Sequence, residues 1–249
     1  EQKPIMRIFR LTGSSLATFL ILPISVAVAG PDWIEEGDSG SLPSQAQSPK
    51  GGGAMNSIAG QLASAAVAGS GTGDTEDMYR IFIRDPALFS ATTAQDPKTP
   101  GSAEFDSQLW LFDRDGRALL ANDDAGPGES GSRLGAMAND GTNQMIPEPG
   151  VYFLAITAFD RDPVSAMGEN LFNQQVRTEI SGPDGLGGSF PVAGWGGAAT
   201  GFGFYMIGFT GVEFPPSIPA VSSWGLASLA CLMAIAGTLC IRGRCAATQ

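Results

Sequence analysis

Histidine is absent from the 249 residues, and the three cysteines are Cys231, Cys240 and Cys245, all close to the C-terminus. The first absence removes the usual neutral-pH general base and the imidazole ligands of zinc. The second leaves the rest of the chain without a disulfide or a reactive thiol. Ser165 and Ser189 lack a histidine partner, and no Gly-Xaa-Ser-Xaa-Gly elbow occurs. Gly194-Trp195-Gly196-Gly197 lacks the Lys-Ser/Thr ending of a phosphate loop, and its tryptophan is expected to pack in a loop or meet a partner. Positive charge is scarce too: 14 Lys and Arg stand against 25 Asp and Glu, a formal net charge of -11. Lys3, Arg7, Arg10, Arg242 and Arg244 sit near the ends, so the interior is more acidic than the whole. Such a chain repels nucleic acid, whose binding needs a basic surface.

The two ends differ from the middle. Arg7 and Arg10 precede an apolar run from Leu16 to Leu22, and Ala27-Val28-Ala29 follows before Gly30. That order predicts a signal peptide over residues 1–29, with Met6 as the expected start. At the other end, Trp224 to Ile241 gives 18 residues without a charge. As a helix it would span about 27 Å, enough to cross a bilayer, with Arg242 and Arg244 as its basic stop. Residues 214–249 are therefore expected to be a sorting motif, transmembrane helix and basic tail. The expected location is exported, at the cell envelope or outer surface, anchored in membrane at least transiently. Residues 30–57, rich in Gly, Ser and Pro, predict a flexible spacer.

Between 58 and 213 the period is that of strands. Tyr79, Ile81 and Ile83 alternate with Arg80, Phe82 and Arg84 before Asp85-Pro86. Phe105 to Phe112 and Arg117 to Ala121 flank Asp115-Gly116 as a hairpin. Val151 to Ala158 is apolar on both faces, as a strand covered on both sides would be. Phe204 to Thr210 is the last strand. With no long helical pattern between these runs, the expected fold is all-β, an antiparallel β-sandwich or jelly roll flanked by the signal segment and the transmembrane helix.

Asp113, Asp115, Asn122, Asp123 and Asp124 are the candidate metal ligands. Calcium takes six to eight oxygens, and the Gly116–Ala121 segment is expected to return both groups to one end of the sheet. Asp74, Glu76 and Asp77 can add to it, and Asp160 with Asp162 forms a further group. The ligand spacing is not that of an EF-hand. The same residue types also serve turns, where their side chains bond to nearby backbone, so calcium and turn-making both remain open.

Two resemblances join these readings. Ile218-Pro219-Ala220-Val221-Ser222-Ser223-Trp224-Gly225, followed by the apolar run and Arg242 and Arg244, resembles the bacterial IPTL-type sorting signal. Ala220, Val221 and Ser223 depart from its pattern; Ile218, Pro219, Ser222, Trp224 and Gly225 keep it. This resemblance implies an exosortase-like processing enzyme as a partner. Asp77-Met78-Tyr79, Phe105 to Asp113 with Gly116, Asn122-Asp123-Asp124 and Gly150-Val151-Tyr152 resemble the pre-peptidase C-terminal type of β-sandwich. That family is non-catalytic and includes calcium-binding collagen-recognition domains. The expected function is a non-enzymatic, exported structural or ligand-binding protein with an extracellular glycan, matrix or surface protein as partner. The alternatives are an accessory domain of a secreted hydrolase or protease, and a carboxylate-dependent glycoside hydrolase, which needs two carboxylates about 5 to 9 Å apart.

Overall fold

The computed structural model describes residues 30–64, 73–95, 99 and 101–216. The chain divides into two compact units, Glu1–Gly30 and Pro31–Gln249, and every strand described lies in the second. The expected signal peptide and the sorting motif with its tail lie outside the described residues.

The strands are β1 (Trp33–Ile34), β2 (Ser57–Leu62), β3 (Glu76–Ile83), β4 (Ser90–Thr92), β5 (Ser102–Ala103), β6 (Ser107–Phe112), β7 (Ala118–Asn122), β8 (Arg133–Leu134), β9 (Gly150–Ala158), β10 (Arg161–Val164), β11 (Gly194–Gly197), β12 (Gly203–Thr210) and β13 (Val212–Glu213). They form three open sheets. One runs β1-β2-β12-β4-β8 with β5 also on β12, one runs β13-β3-β9-β6-β7, and β10 pairs with β11.

This corrects the expected antiparallel sandwich or jelly roll with a transmembrane helix. The first sheet is mixed, because β1 pairs with β2 in parallel, Trp33 opposite Ile58. A parallel pair needs a long crossover, and residues 35–56 supply one, running beside β3 through the Gln47–Tyr79 bridge. A 3-10 helix at Pro86–Leu88 adds the helical turn, capped by the Asp85 side chain on the Ala87 amide. Among the described residues no helix is long and apolar enough to cross a membrane. The expectations of a transmembrane helix and of membrane anchoring at the envelope are corrected to that statement for the described residues, which do not include Trp224 to Ile241, and neither is carried further.

The spacer reading of 30–57 is also corrected. Trp33 and Met55 are buried in the main core, and the indole of Trp33 donates to Gln47 Oε1 at 3.1 Å. A handful of apolar residues suffices to dock a Gly- and Ser-rich segment, since each large side chain buried contributes roughly 1.5–3 kcal/mol.

Two cores share the five-stranded sheet. On one face Tyr79, Ile81, Leu109, Leu111, Leu154 and Ile156 meet Ile58, Leu62, Tyr205 and Ile207 of the six-stranded sheet. On the other, Met78, Trp110, Phe112 and Phe153 are covered by Leu171, Phe172 and Val192 of the 165–193 loop, with Trp195 packed at the edge. Burial on both faces is why β6, β7 and β9 are mostly apolar, with Ser107, Gln108, Asn122 and Thr157 as their buried polar residues. Trp195, expected in a loop, stands in β11 with its ring 6.3 Å from that of Trp110 and its N–H bonded to Ser41 O at 2.7 Å.

Candidate metal centre

Asp77 is the second residue of β3, and strand alternation puts it on the face of Tyr79, Ile81 and Ile83, which points into the core. It is 0% exposed. Tyr205, inward-facing on β12 of the opposite sheet, donates its hydroxyl to Asp77 Oδ2 at 2.6 Å and meets the Tyr79 hydroxyl at 2.6 Å. Gly60 of β2 makes room for this pair, since a Cβ there would collide with both hydroxyls. Asp77 Oδ1 has no hydrogen-bond partner among the described residues. An orphaned buried acceptor costs about 1–3 kcal/mol, more when charged, so this oxygen calls for a proton or a cation.

Two further carboxylates approach it. Glu35 follows β1 and is held by three donors: the Ser39 amide at 3.0 Å and hydroxyl at 2.9 Å on Oε1, and the Gln61 amide at 2.9 Å on Oε2. Asp74 stands before β3, its backbone bridged to Ala63. Glu35, Asp74 and Asp77 each bring one oxygen within 4.8 Å of the others. A calcium ion at about 2.3–2.6 Å from each ligand fits among oxygens so spaced. Burial, then the charges of Asp38, Glu35 and Glu76, pushes the Asp74 carboxyl up from 3.8 to about 7. Burial, followed by Glu35 and Asp74, raises Asp77 well above the usual carboxylate range. Both Tyr79 and Tyr205 are pushed up, first by burial and next by the Asp77 charge. Glu76 points elsewhere, to a half-buried ion pair with Arg161 at 3.0 Å.

The residues expected to hold calcium do not come together. An antiparallel hairpin returns the chain to the end where it began, so Asp123 and Asp124 meet Asp106, which precedes β6. Asp113 and Asp115 lie at the other end, beyond a six-residue strand about 20 Å long. Asp113 Oδ1 accepts from the amides of Asp115 at 2.8 Å and Arg117 at 2.9 Å, and Asp115 is exposed beside Arg114. That pair makes the turn, where Gly116 takes φ +78°. Asn122 holds its surroundings: its amide donates to Asp124 O at 3.0 Å and Glu179 O at 2.8 Å, while Oδ1 accepts from the Arg133 amide at 2.6 Å. Asp106, Asp123 and Asp124 form a second group whose oxygens lie within 4.8 Å of one another. Each of the two clusters has the donor chemistry to coordinate a divalent cation.

Glu35 was hidden in an apparent spacer. Asp77 carried a signal, because extending the Tyr79, Ile81, Ile83 face by two residues places a carboxylate inside the core. Asp106 was signalled by the hairpin itself. No family model matches the sequence, and neither the curated proteins nor the solved structures contain a match.

Proposed function

We propose that this chain is a non-enzymatic binding module whose fold is completed by calcium at Glu35, Asp74 and Asp77. The supporting observation is Asp77: a fully buried carboxylate with one oxygen on Tyr205 and the other aimed at no donor. The donor set is all oxygen, which suits a hard cation. Calcium tolerates the irregular geometry of three carboxylates from separate segments, whereas magnesium demands a near-ideal octahedron and keeps its waters. The cation would join the segment after β1 to the start of β3, so ion binding orders the loops at this end, which a glycan, matrix or protein partner would then read. The resemblance to the pre-peptidase C-terminal module, with its calcium-binding collagen-recognition relatives, supports the same reading.

Thermal unfolding of the full chain tests it, after exhaustive chelation and then with calcium or magnesium. Calcium at a hundredfold excess over its dissociation constant adds about 2.7 kcal/mol, or roughly 5–10 °C for a chain of this size. The expected result is a saturable rise with calcium, much smaller with magnesium, that Asp77→Asn reduces. A midpoint indifferent to calcium, or an equal response in Asp77→Asn, sinks the proposal.

A further inference from the structure

Of the Asp106, Asp123, Asp124 group, Asp123 lines a cleft of about 340 Å³, together with Gln108, Phe159, Asp162, Gln174 and Arg177 among others. Asp123 is 3% exposed, and its Oδ1 has no partner among the described residues. Asp106 Oδ1 is likewise without one. Two buried acceptors belonging to one group are therefore left without a donor among the described residues.

Arg177 stands beside them without bonding them. Its nitrogens lie 3.8 Å from Asp106 Oδ2 and 3.7 Å from Asp123 Oδ2, past hydrogen-bond distance. Its side chain is 53% exposed, and the guanidinium rests over the Phe159 ring at 4.1 Å. Long, exposed pairs of this kind contribute at most about 1 kcal/mol. The backbone beneath is held firmly: the Asp124 amide donates to Arg177 O at 2.9 Å, and Ser132 Oγ donates to Asp123 O at 2.7 Å. The backbone at Asp123 and Asp124 thus keeps its place whether or not the guanidinium stays.

We propose that the mouth of this cleft is a second divalent-cation site, for an oxygen-seeking ion of calcium's class, in which Arg177 is the resident counter-ion that the divalent ion replaces. A guanidinium brings one charge to Asp106 and Asp123 from beyond hydrogen-bond distance. A divalent ion brings two, at about 2.3–2.6 Å, and reaches the unpartnered oxygens as well. Burial raises all three carboxyls, helped at Asp106 and Asp123 by repulsion within the group and at Asp124 by Glu129; Asp123 reaches about 7, and Arg177 lowers all three. The group is short of positive charge even with Arg177 in place. When the ion enters, Arg177 is freed from the carboxylates and the Phe159 side of the cleft opens. The bound ion then presents its remaining coordination positions to whatever enters.

This site shares no ligand with the Glu35, Asp74, Asp77 centre, so the two stand or fall separately. Calorimetric titration of the metal-free full chain with calcium alone is the test. Asp77→Asn should still bind one calcium, and adding Asp123→Asn should remove it. Arg177→Gln should bind calcium at this site three- to fivefold more tightly, because the competing charge is gone. Should Asp123→Asn fail to fold, Asp124→Asn, at a half-buried position, gives the same reading. Binding that persists in both aspartate variants, no binding in Asp77→Asn and Arg177→Gln alike, or an unchanged or weaker affinity in Arg177→Gln would each overturn the proposal. Calcium binding that vanishes with Asp77→Asn while Arg177→Gln leaves it untouched would leave the inner centre standing alone.

Discussion

The two acidic clusters are built from the same residue types and answer their charge differently. At Glu35, Asp74 and Asp77 the answer comes from neutral donors: backbone amides, a serine and a tyrosine, with Asp77 buried and the other two half-buried, and without a guanidinium among the hydrogen bonds described. At Asp106, Asp123 and Asp124 it comes from a cation at the edge of a cleft, loosely held. Neutral donors orient a carboxylate without cancelling its charge, so the first cluster stays repulsive unless it takes up a proton or an ion. A mobile cation cancels charge without fixing geometry, so the second can exchange what it holds. The contrast is between a structural clasp and an exchangeable site.

The clasp should be the costlier one to disturb. Gly60→Ala drives a methyl into the Tyr79 and Tyr205 hydroxyls and should destabilise by about 1–3 kcal/mol or more, read from urea unfolding. Next comes pH. Asp74 and Asp123 have folded-state pKa values near 7 instead of 3.8, so the native state binds more protons than the unfolded chain between those values. Their contribution to stability is therefore fully present below about pH 4 and lost as pH rises through 7. The chelated protein should melt at a higher temperature at pH 5 than at pH 7.5, with calcium closing most of the gap. A chelated protein that is more stable at pH 7.5 would contradict both pKa assignments.

Smaller effects should sharpen the contrast. Arg161→Ala removes a half-buried pair with Glu76 and bonds to the carbonyls of Trp195 and Gly197, both at 3.2 Å. It should cost roughly 1–3 kcal/mol and leave calcium affinity nearly unchanged, by thermal unfolding and titration together. Asp115→Asn, at the far end of the β6–β7 hairpin, should stay within about 0.5 kcal/mol of the parent and bind calcium equally well. A loss of binding there would return the hairpin turn to the ligand set.

Strand content and alternation were readable in the sequence because β3, β6, β9 and β12 carry long period-2 or wholly apolar runs. The Asp115-Gly116 turn was readable from its glycine. The two-residue strand Trp33–Ile34 was not, since it is too short for any periodicity and its surroundings look like linker. Glu35, delivered by that strand, was hidden with it. The cover over Trp110 was invisible for a related reason: Leu171, Phe172 and Val192 come from an irregular loop and share no period. At the site, the sequence named Asp123 and Asp124 correctly as neighbours of a carboxylate group, but assigned their partner to the wrong end of the hairpin.

The most direct measurement is a crystal structure grown in calcium, with anomalous scattering recorded to identify the ion. The prediction is a calcium peak about 2.4 Å from Asp77 Oδ1, with Glu35 and Asp74 among its ligands. A centre free of calcium, with Asp77 and Glu35 drawn together around a shared proton, would contradict the claim that a cation completes this fold.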